Sequence, residues 1–355
     1  AEPTLNLKSS EFNDFDVMLC DKIIAYDHLK QKITVIVNMK TNDLENQYNK
    51  AINDIDEIVK MINDPTPVSK LTSYKDVEFK SNFTEEEYAE TVNKTKEYIF
   101  DGDIFQAVIS RRFETKYEGS LLNAYRVLRV TNPSPYMVFM KIGENEIIST
   151  SPETLVRYQN GRMTTFPIAG SRPRGKTEEE DIALEKDLLQ DEKELSEHNM
   201  LVDLGRNDIG KISKFNSVTV TEYMKVLRYS KIMHICSEVQ SDALDTVDSF
   251  DAIEAVLPAG TLSGAPKVRA CEIIEELEKC PRGVYGGAIG YIDFNGNMDT
   301  CIAIRMASKI KDKVYVQAGG GIVADSIPHN EYMESYNKAL AVMNAIKNAG
   351  EVEEV

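Results

Sequence analysis

The sequence contains no tryptophan, only four histidines and no long apolar run. The absence of tryptophan excludes no function by itself. A membrane-spanning helix requires about 20 consecutive apolar residues. Because the 355 residues contain no such run, no membrane segment is predicted. No signal peptide is predicted either, although the first residue is Ala1 rather than methionine.

Positive charge is scarce as well. The chain has 41 Lys and Arg residues against 58 Asp and Glu residues, and its formal net charge is −17. This balance argues against a nucleic-acid partner, because a surface that binds phosphates must be basic to displace their counterions. The same negative field repels small anions, so an anionic ligand would need a local cation in its site.

Five cysteines are present, and none of them forms a Cys-x-x-Cys motif. Their odd number and scattered positions predict reduced thiols, a cytoplasmic location and no zinc site. They are Cys20, Cys236, Cys271, Cys280 and Cys301. A composition of 42% hydrophobic and 28% charged residues is typical of a globular protein with a large core.

Two regions are predicted along the chain, 1–75 and 76–350. The first resembles an incomplete unit, with strands at 23–26 and 33–37 and an amphipathic helix that runs from Leu44 to Ile62. A linker-like stretch follows. Thr84 then begins a helix as its N-cap, with acidic residues in the first turn.

The second region predicts an α+β fold with large antiparallel sheets and helices packed outside. Strand patterns such as "YMVFMKI", "EIISTS" and "MDTCIAIRMASKI" are joined by hairpin signals such as "QNG" and "FNGN". Helical patterns separate them at 178–204, 249–257, 265–279 and 329–349. Short turns between neighbouring strands favour antiparallel pairing over parallel units.

Two helical segments each carry a Glu-x-x-Glu pair, Glu194 with Glu197 and Glu331 with Glu334. Residues three apart lie on one face of a helix, so each pair directs its carboxylates the same way. In an acidic chain, spacing alone favours solvated helix faces. The alternative is a shared site for a hard cation, for which oxygen ligands favour Mg²⁺ over zinc.

Glycine and arginine mark a second group of candidates. Gly319, Gly320 and Gly321 follow a strand pattern, where their backbone N–H groups would approach an anion, although tight turns use such triplets too. Arg305 lies in the apolar stretch "CIAIRMA", interpreted as a strand interior. An unpaired guanidinium there would be costly, so a carboxylate of the protein or of a ligand is expected beside it.

Glu153 and His234 are the candidates for proton transfer. Glu153 follows Pro152 at the end of a strand, where burial would raise its pKa and suit it to be a general acid. It could equally cap a following helix. His234 lies in the apolar segment "MHICSEV", where a structural histidine is the more common case.

The ordered motifs resemble the chorismate-utilising enzymes and, among them, the anthranilate synthase large subunits. The resemblance is dense over residues 84–345. It rests on "GDIFQAVISRRF", "NPSPYM", "TSPETLVR", "PIAGSRPRG", "DEKELSEHNMLVDLGRND", "LPAGTLSGAPK", "YGGAIGYID", "DTCIAIR" and "QAGGGIVADSIPHNEYMESYNKA". It implies a sandwich of two large antiparallel sheets. It also implies an Mg²⁺-dependent reaction of chorismate with ammonia, supplied by a glutamine amidotransferase partner, which yields anthranilate and pyruvate.

Residue roles follow from the resemblance alone. It implies Glu197 and Glu334 as direct Mg²⁺ ligands, with Glu194 and Glu331 acting through water. It implies Glu153 as the acid for the departing hydroxyl and His234 as necessary for the loss of pyruvate. The substrate-binding group implied is Gly170, Ser171, Tyr285, Arg305, Gly319, Gly320, Gly321 and Lys338.

Two positions distinguish members of the family. Isochorismate and salicylate synthases place a lysine where Gln106 stands, to activate water. Aminodeoxychorismate synthases typically carry "PIKG", whereas this chain has "PIAG" with Ala169. Both positions favour anthranilate as the product. Aminodeoxychorismate synthase component I and a catalytically silent paralogue are the alternatives.

The chain departs from the family pattern in three places. Ser171 replaces a more usual Thr, and Gly320 stands where Ala is common. The third departure is that the family's longer N-terminal segment, with a Leu-Leu-Glu-Ser motif that contacts the inhibitor tryptophan, has no counterpart here. The other half of that inhibitor site is represented by Pro135, Tyr136 and Met137, so tryptophan inhibition is in question.

Overall fold

The computed structural model describes residues 7–66, 77–229 and 232–351, and these form two compact units. One unit is Asn13–Leu71, and the other comprises Ala1–Phe12 with Thr72–Val355. The boundary expected between residues 75 and 76 lies outside the described residues. No described helix is long and apolar enough to cross a membrane, and all five cysteines are free.

The smaller unit is a hairpin with one helix. Strands β1 (Lys22–Asp27) and β2 (Lys32–Val37) pair antiparallel, and α1 (Leu44–Ile62) packs on β2. All three elements were predicted from the alternating and helical apolar patterns. The helix is tied to the hairpin by an ion pair in which Lys22 Nζ lies 2.8 Å from Asp54 Oδ1.

The larger unit contains two seven-stranded antiparallel sheets with helices between and around their strands. Its helices are α2 (Glu85–Phe100), α3 (Leu122–Thr131), α4 (Glu178–Leu188), α5 (Glu192–Gly210), α6 (Ser249–Val256), α7 (Lys267–Leu277) and α8 (Pro328–Lys347). Thr84 caps α2 as predicted, since its side chain accepts the Glu87 N–H and the Glu87 carboxylate accepts the Thr84 N–H.

The first sheet has the strand order β12-β4-β16-β15-β6-β5, and β3 also pairs with β4. These strands are β3 (Lys80–Ser81), β4 (Gln106–Lys116), β5 (Tyr136–Ile142), β6 (Asn145–Ser151), β12 (Gly264–Ala265), β15 (Met306–Ile310) and β16 (Lys313–Ile322). Helices α3 and α8 cover one face through a core that includes Leu128, Val316 and Ile346. Helix α8 packs against β16, an interior strand of this sheet.

The second sheet has the strand order β10-β11-β8-β7-β14-β13, and β9 also pairs with β11. These strands are β7 (Thr154–Gln159), β8 (Arg162–Thr165), β9 (Ile168–Pro173), β10 (Thr219–Arg228), β11 (Ile232–Asp242), β13 (Ala288–Ile292) and β14 (Met298–Ile302). Residues of both sheets share one apolar cluster that contains Ile289, Cys301, Met306 and Val138. The predicted α+β class with two large antiparallel sheets is thus confirmed.

Several predicted elements were wrong in detail. The helix expected at 178–204 is two helices, α4 and α5, separated at Leu189–Asp191. The strand expected across "MDTCIAIRMASKI" is β14 and β15, which belong to different sheets. Arg305 lies between them with a backbone φ of 48°, not inside a strand. Helix α3 and strand β10 were not predicted at all.

Candidate active site

The four glutamates of the two Glu-x-x-Glu pairs lie on α5 and α8. Burial raises the pKa of Glu194, Glu197 and Glu331. In all three cases the carboxylate of Glu334 adds to the rise. The charge of Glu334 on α8 therefore acts on the carboxylates of α5, so the two helices direct these side chains toward one region of the protein.

Each pair also approaches the backbone of a strand. A Cβ added to Gly170 on β9 would lie 3.1 Å from Glu194 Oε2, and one added to Gly320 on β16 would lie 2.9 Å from Glu331 Oε2. Gly170 has a φ of 71°, which favours glycine independently of space. The absence of a side chain at both positions leaves room for the carboxylates.

These oxygen ligands fit a hard divalent cation. Within the described ranges, no three His, Cys, Asp or Glu side chains are close enough to enclose an ion by themselves. Mg²⁺ needs less than this, since it usually takes one or two protein carboxylates and retains water. The Lys338 Nζ lies 2.6 Å from Glu334 Oε1 and 3.0 Å from the Gly319 carbonyl, so a cation already balances this carboxylate.

A cavity of about 410 Å³ opens beside α8. It is lined by Arg305, Asn330, Met333, Glu334, Asn337 and Lys338. Burial lowers the pKa of Arg305, while Tyr285 and Glu334 raise it. Across the part of the chain that the structure describes, the Arg305 guanidinium has no hydrogen bond or ion pair. Of the two expected partners, a ligand carboxylate is therefore the one that the geometry favours.

Glu153 lies between β6 and β7, beside a second cavity of about 50 Å³. The Thr261 hydroxyl donates to Glu153 Oε1 at 3.1 Å. Burial raises the pKa of Glu153 to about 8, against the opposing effects of Thr261 and the Lys338 charge. A strand follows Glu153, so there is no helix for it to cap, and its carboxyl group is protonated at neutral pH.

His234 on β11 faces the Gly170 and Ser171 segment of β9. His234 and Ser171 are directly opposite in the antiparallel register, and His234 Nδ1 lies 3.1 Å from the Gly170 carbonyl oxygen. That carbonyl accepts a hydrogen bond from the Nδ1–H group, which leaves Nε2 with a free lone pair. Burial, with the nearby Arg305 charge, lowers the pKa of His234, so the ring is neutral at pH 7.

The three consecutive glycines lie inside β16 rather than after it, paired with β4. A Cβ on Gly319 would overlap the Ile109 carbonyl, and one on Gly321 would overlap the Gln106 side-chain amide. Gln106 itself is only 3% exposed at the start of β4. Burial raises the pKa of Tyr285 to about 12, so its hydroxyl stays protonated.

We expect Gly319→Ala to destabilise the protein by about 1–3 kcal/mol, because backbone atoms cannot make room for a methyl group. Gly320→Ala is the matched variant, since its Cβ meets only the side-chain ends of Glu331 and Glu334. It should cost less than Gly319→Ala. Urea unfolding of both variants measures the difference, and equal losses of stability would contradict this account of the strand.

The residues expected at an inhibitor site lie at the start of β5, an edge strand of the first sheet. The Tyr136 hydroxyl lies 2.7 Å from Thr154 Oγ1 and donates to Asp299 Oδ1 at 2.7 Å. Pro135 precedes the strand and Met137 follows Tyr136 within it. Binding of tryptophan by these residues stays a prediction.

Sequence reasoning did not find Thr261, the hydrogen-bond partner of Glu153. It belongs to "LPAGTLSGAPK", which was given above as a family motif that runs into the helix expected at 265–279. Helix α7 in fact begins at Lys267, and Gly264 and Ala265 form β12. The cavity-lining Asn330, Met333 and Asn337 were also missed, although their spacing on the α8 face that carries Glu334 was an available signal.

Comparison with known proteins agrees with this geometry. The profile of the chorismate binding enzyme family matches residues 2–344. Anthranilate synthase component 1 of Acetivibrio thermocellus is 52% identical over 343 residues, which cover 94% of this chain and 69% of that protein. The corresponding protein of Aquifex aeolicus is 48% identical, with coverages of 99% and 73%.

A solved structure is similar over most of the chain. Anthranilate synthase component I from Streptococcus pneumoniae superposes with a TM-score of 0.82 at 43% sequence identity. The match covers 91% of this chain and 72% of the other. Sequence, fold and site geometry agree, and this chain belongs to the chorismate binding enzyme family.

Proposed function

We propose that the chain is the large subunit of an anthranilate synthase, which converts chorismate and ammonia into anthranilate and pyruvate, the first committed step of tryptophan biosynthesis. The names of its relatives support this. The observation that carries the proposal is the juxtaposition of an unpaired Arg305 with Glu334 and Lys338 of α8 around one cavity. The Glu334 charge also raises the pKa of Glu194 and Glu197 on α5. Such a site suits a dicarboxylate held partly by protein and partly by a divalent ion.

In the proposed complex, Arg305, Tyr285 and the backbone of the three glycines on β16 hold one carboxylate of chorismate. Glu197 and Glu334 would hold Mg²⁺, with Glu194 and Glu331 acting through water. When bound, the ion supplies positive charge that orients the ring carboxylate and withdraws electron density from the ring. Lys338, already beside Glu334, adds a second positive charge for a dianionic substrate.

The proposed chemistry assigns one proton transfer to each of two residues. Glu153, protonated at neutral pH, donates its proton to the departing 4-hydroxyl group while ammonia adds at C2. His234, neutral and with Nε2 free, accepts the proton lost when pyruvate leaves and the ring becomes aromatic. Gln106 has no basic group, so water is not activated in competition with ammonia.

His234→Asn is expected to separate the two stages. The asparagine amide retains a donor for the Gly170 carbonyl but supplies no base. Chorismate should still be consumed, the aminated intermediate should accumulate, and anthranilate formation should fall by roughly 10²-fold or more. Chromatography of the reaction mixture measures all three species. His329→Asn, at an exposed histidine bonded to Glu85, is the control, and undiminished anthranilate formation by His234→Asn would refute the assignment.

The whole proposal is tested by incubating the purified chain with chorismate, an ammonium salt and Mg²⁺ and following anthranilate fluorescence. Formation of 4-amino-4-deoxychorismate instead would favour aminodeoxychorismate synthase component I. Absence of any turnover by a folded protein would favour a silent paralogue. Glutamine should replace ammonium only when an amidotransferase subunit is added, which tests the proposed partner. Inhibition of anthranilate formation by added tryptophan tests the inhibitor site.

A further inference from the structure

Arg111, in the middle of β4, is a buried cation that the proposed chemistry does not use. Its side chain is 1% exposed. Within the described ranges, no carboxylate forms an ion pair with it. Four aromatic rings surround the guanidinium instead, and its central carbon lies 3.7 Å from the Tyr332 ring centroid and 4.8 Å from that of Phe113. Tyr88 and Tyr336 complete this cage.

Both hydrogen bonds of this guanidinium go to α8. Its Nε donates to Ser335 Oγ at 2.9 Å, and its Nη2 donates to the Tyr332 carbonyl at 2.7 Å. The Ser335 hydroxyl donates to the same carbonyl at 2.8 Å, which joins the three groups. Tyr332 and Ser335 immediately follow Glu331 and Glu334 in the sequence, so the bonds hold the helical turn that carries the two glutamates.

The rotation of α8 determines where those glutamates point. Each residue of an α-helix turns the chain by roughly 100°, since there are about 3.6 residues per turn. Glu331 is only 9% exposed, between the helix and the Gly320 backbone. A modest rotation of the helix would therefore move both carboxylates away from α5. Burial raises the pKa of Tyr88, Glu331 raises it further and Arg111 lowers it, so the buried cation and the buried carboxylate belong to one electrostatic environment.

We propose that Arg111 is a positioning residue of the metal site, which fixes the rotation of α8 so that Glu331 and Glu334 face the glutamates of α5. The inference rests on the proposed function only in that it requires the divalent cation site. It assigns no contact between Arg111 and substrate or metal. An unpaired guanidinium is suited to this purpose because its rigid fork of donors engages two acceptors in one geometry.

The test is Arg111→Lys, which keeps the positive charge and loses the fork. Mutation of the residues that hold metal ligands in place typically lowers metal affinity by about 10–100-fold. We therefore expect the dissociation constant for Mn²⁺ to rise at least tenfold. Electron paramagnetic resonance measures free Mn²⁺ in a titration of the protein without substrate. The concentration of metal needed for half-maximal activity should rise in parallel, and kcat should recover at saturating metal.

Arg112→Lys is the matched control on the same strand. Its side chain lies on the other face of β4, where the guanidinium stacks 4.8 Å from the Tyr315 ring centroid, and it should leave Mn²⁺ affinity unchanged. If Arg111→Lys does not fold, Ser335→Ala removes the Nε acceptor, together with the Ser335 hydrogen bond to the Tyr332 carbonyl, and should weaken Mn²⁺ binding severalfold. An unchanged dissociation constant in the folded variant overturns the inference. Wild-type protein that binds no Mn²⁺ overturns the proposed cation site itself, and the inference with it.

Discussion

Glu153→Gln is expected to lower kcat for anthranilate formation by roughly 10³-fold, within the range attributed to one general acid. Glutamine is nearly the same size and still accepts the Thr261 hydroxyl bond, so the fold and the binding of chorismate should be retained. What is lost is the proton for the departing hydroxyl group. Steady-state kinetics with ammonium as the nitrogen source measures kcat and the KM for chorismate separately.

The pH dependence of the reaction is a second test of the role of Glu153. Burial raises the pKa of Glu153 to about 8, so the acid is present below that pH and is lost as the pH rises through it. Wild-type kcat/KM for chorismate, which reports groups of the free enzyme, should therefore fall on the alkaline side of about pH 8. Residual Glu153→Gln activity should lack this fall. Glu144→Gln, in the exposed β5–β6 turn, is the control, and a fully active Glu153→Gln would refute the assignment.

Glu197→Gln and Glu334→Gln are each expected to abolish metal-dependent activity, with kcat/KM reduced by roughly 10³-fold or more because a divalent ion supplies several kcal/mol of charge stabilisation. Each change keeps the side-chain size and removes one negative charge from the proposed ligand set. Removal of metal from the wild-type protein with EDTA should have the same effect, reversed by adding Mg²⁺. Mn²⁺ titration and the ammonium-dependent assay measure binding and activity in parallel.

The fold of these variants should be intact, since glutamine keeps the side-chain size and Glu197→Gln removes a carboxylate whose charged form is disfavoured by burial and by Glu194. Urea unfolding checks this point. Glu192→Gln, in the exposed first turn of α5, controls for the loss of a negative charge and should bind Mn²⁺ normally. Full activity of Glu197→Gln or Glu334→Gln would remove these residues from the metal site.

Much of the site could be anticipated from the sequence. The spacing of Glu194 with Glu197 and of Glu331 with Glu334 placed each pair on one helical face, and hairpin signals indicated antiparallel sheets. The juxtaposition of α5 with α8 was not available from spacing, because it depends on contacts between residues more than a hundred positions apart. From spacing, a cation site shared by the two pairs was only an alternative to solvated helix faces, and the resemblance to a family was what favoured it.

The break between α4 and α5 shows why some boundaries were missed. No proline or glycine marks it. Asp191 ends the gap by accepting the Lys193 and Glu194 N–H groups as an N-cap. Arg172, from β9, holds the gap in place by ion pairs with Asp187 at 2.6 Å and Asp191 at 2.8 Å. Asp191 followed by Glu194 was a local signal of this helix start that sequence reasoning missed, whereas the contact with Arg172 could not be predicted from spacing.

The apolar stretch around Arg305 was misinterpreted for a related reason. Its pattern of apolar residues suits one long strand, but the chain leaves one sheet after Ile302 and enters the other at Met306. The change of direction uses a left-handed backbone conformation at Arg305, which is uncommon for a residue other than glycine. No residue type at this point of the sequence predicts a left-handed backbone conformation.

Because the chain crosses between the sheets at this point, Arg305 lies in the link that joins them. A ligand carboxylate bound by its guanidinium would be anchored at the short link between β14 and β15, which are strands of different sheets. A ligand that binds only the folded protein would add to the free energy of unfolding, so we expect the melting temperature to rise with substrate concentration. Substrate-saturated protein is therefore expected to unfold at a higher temperature than the free protein.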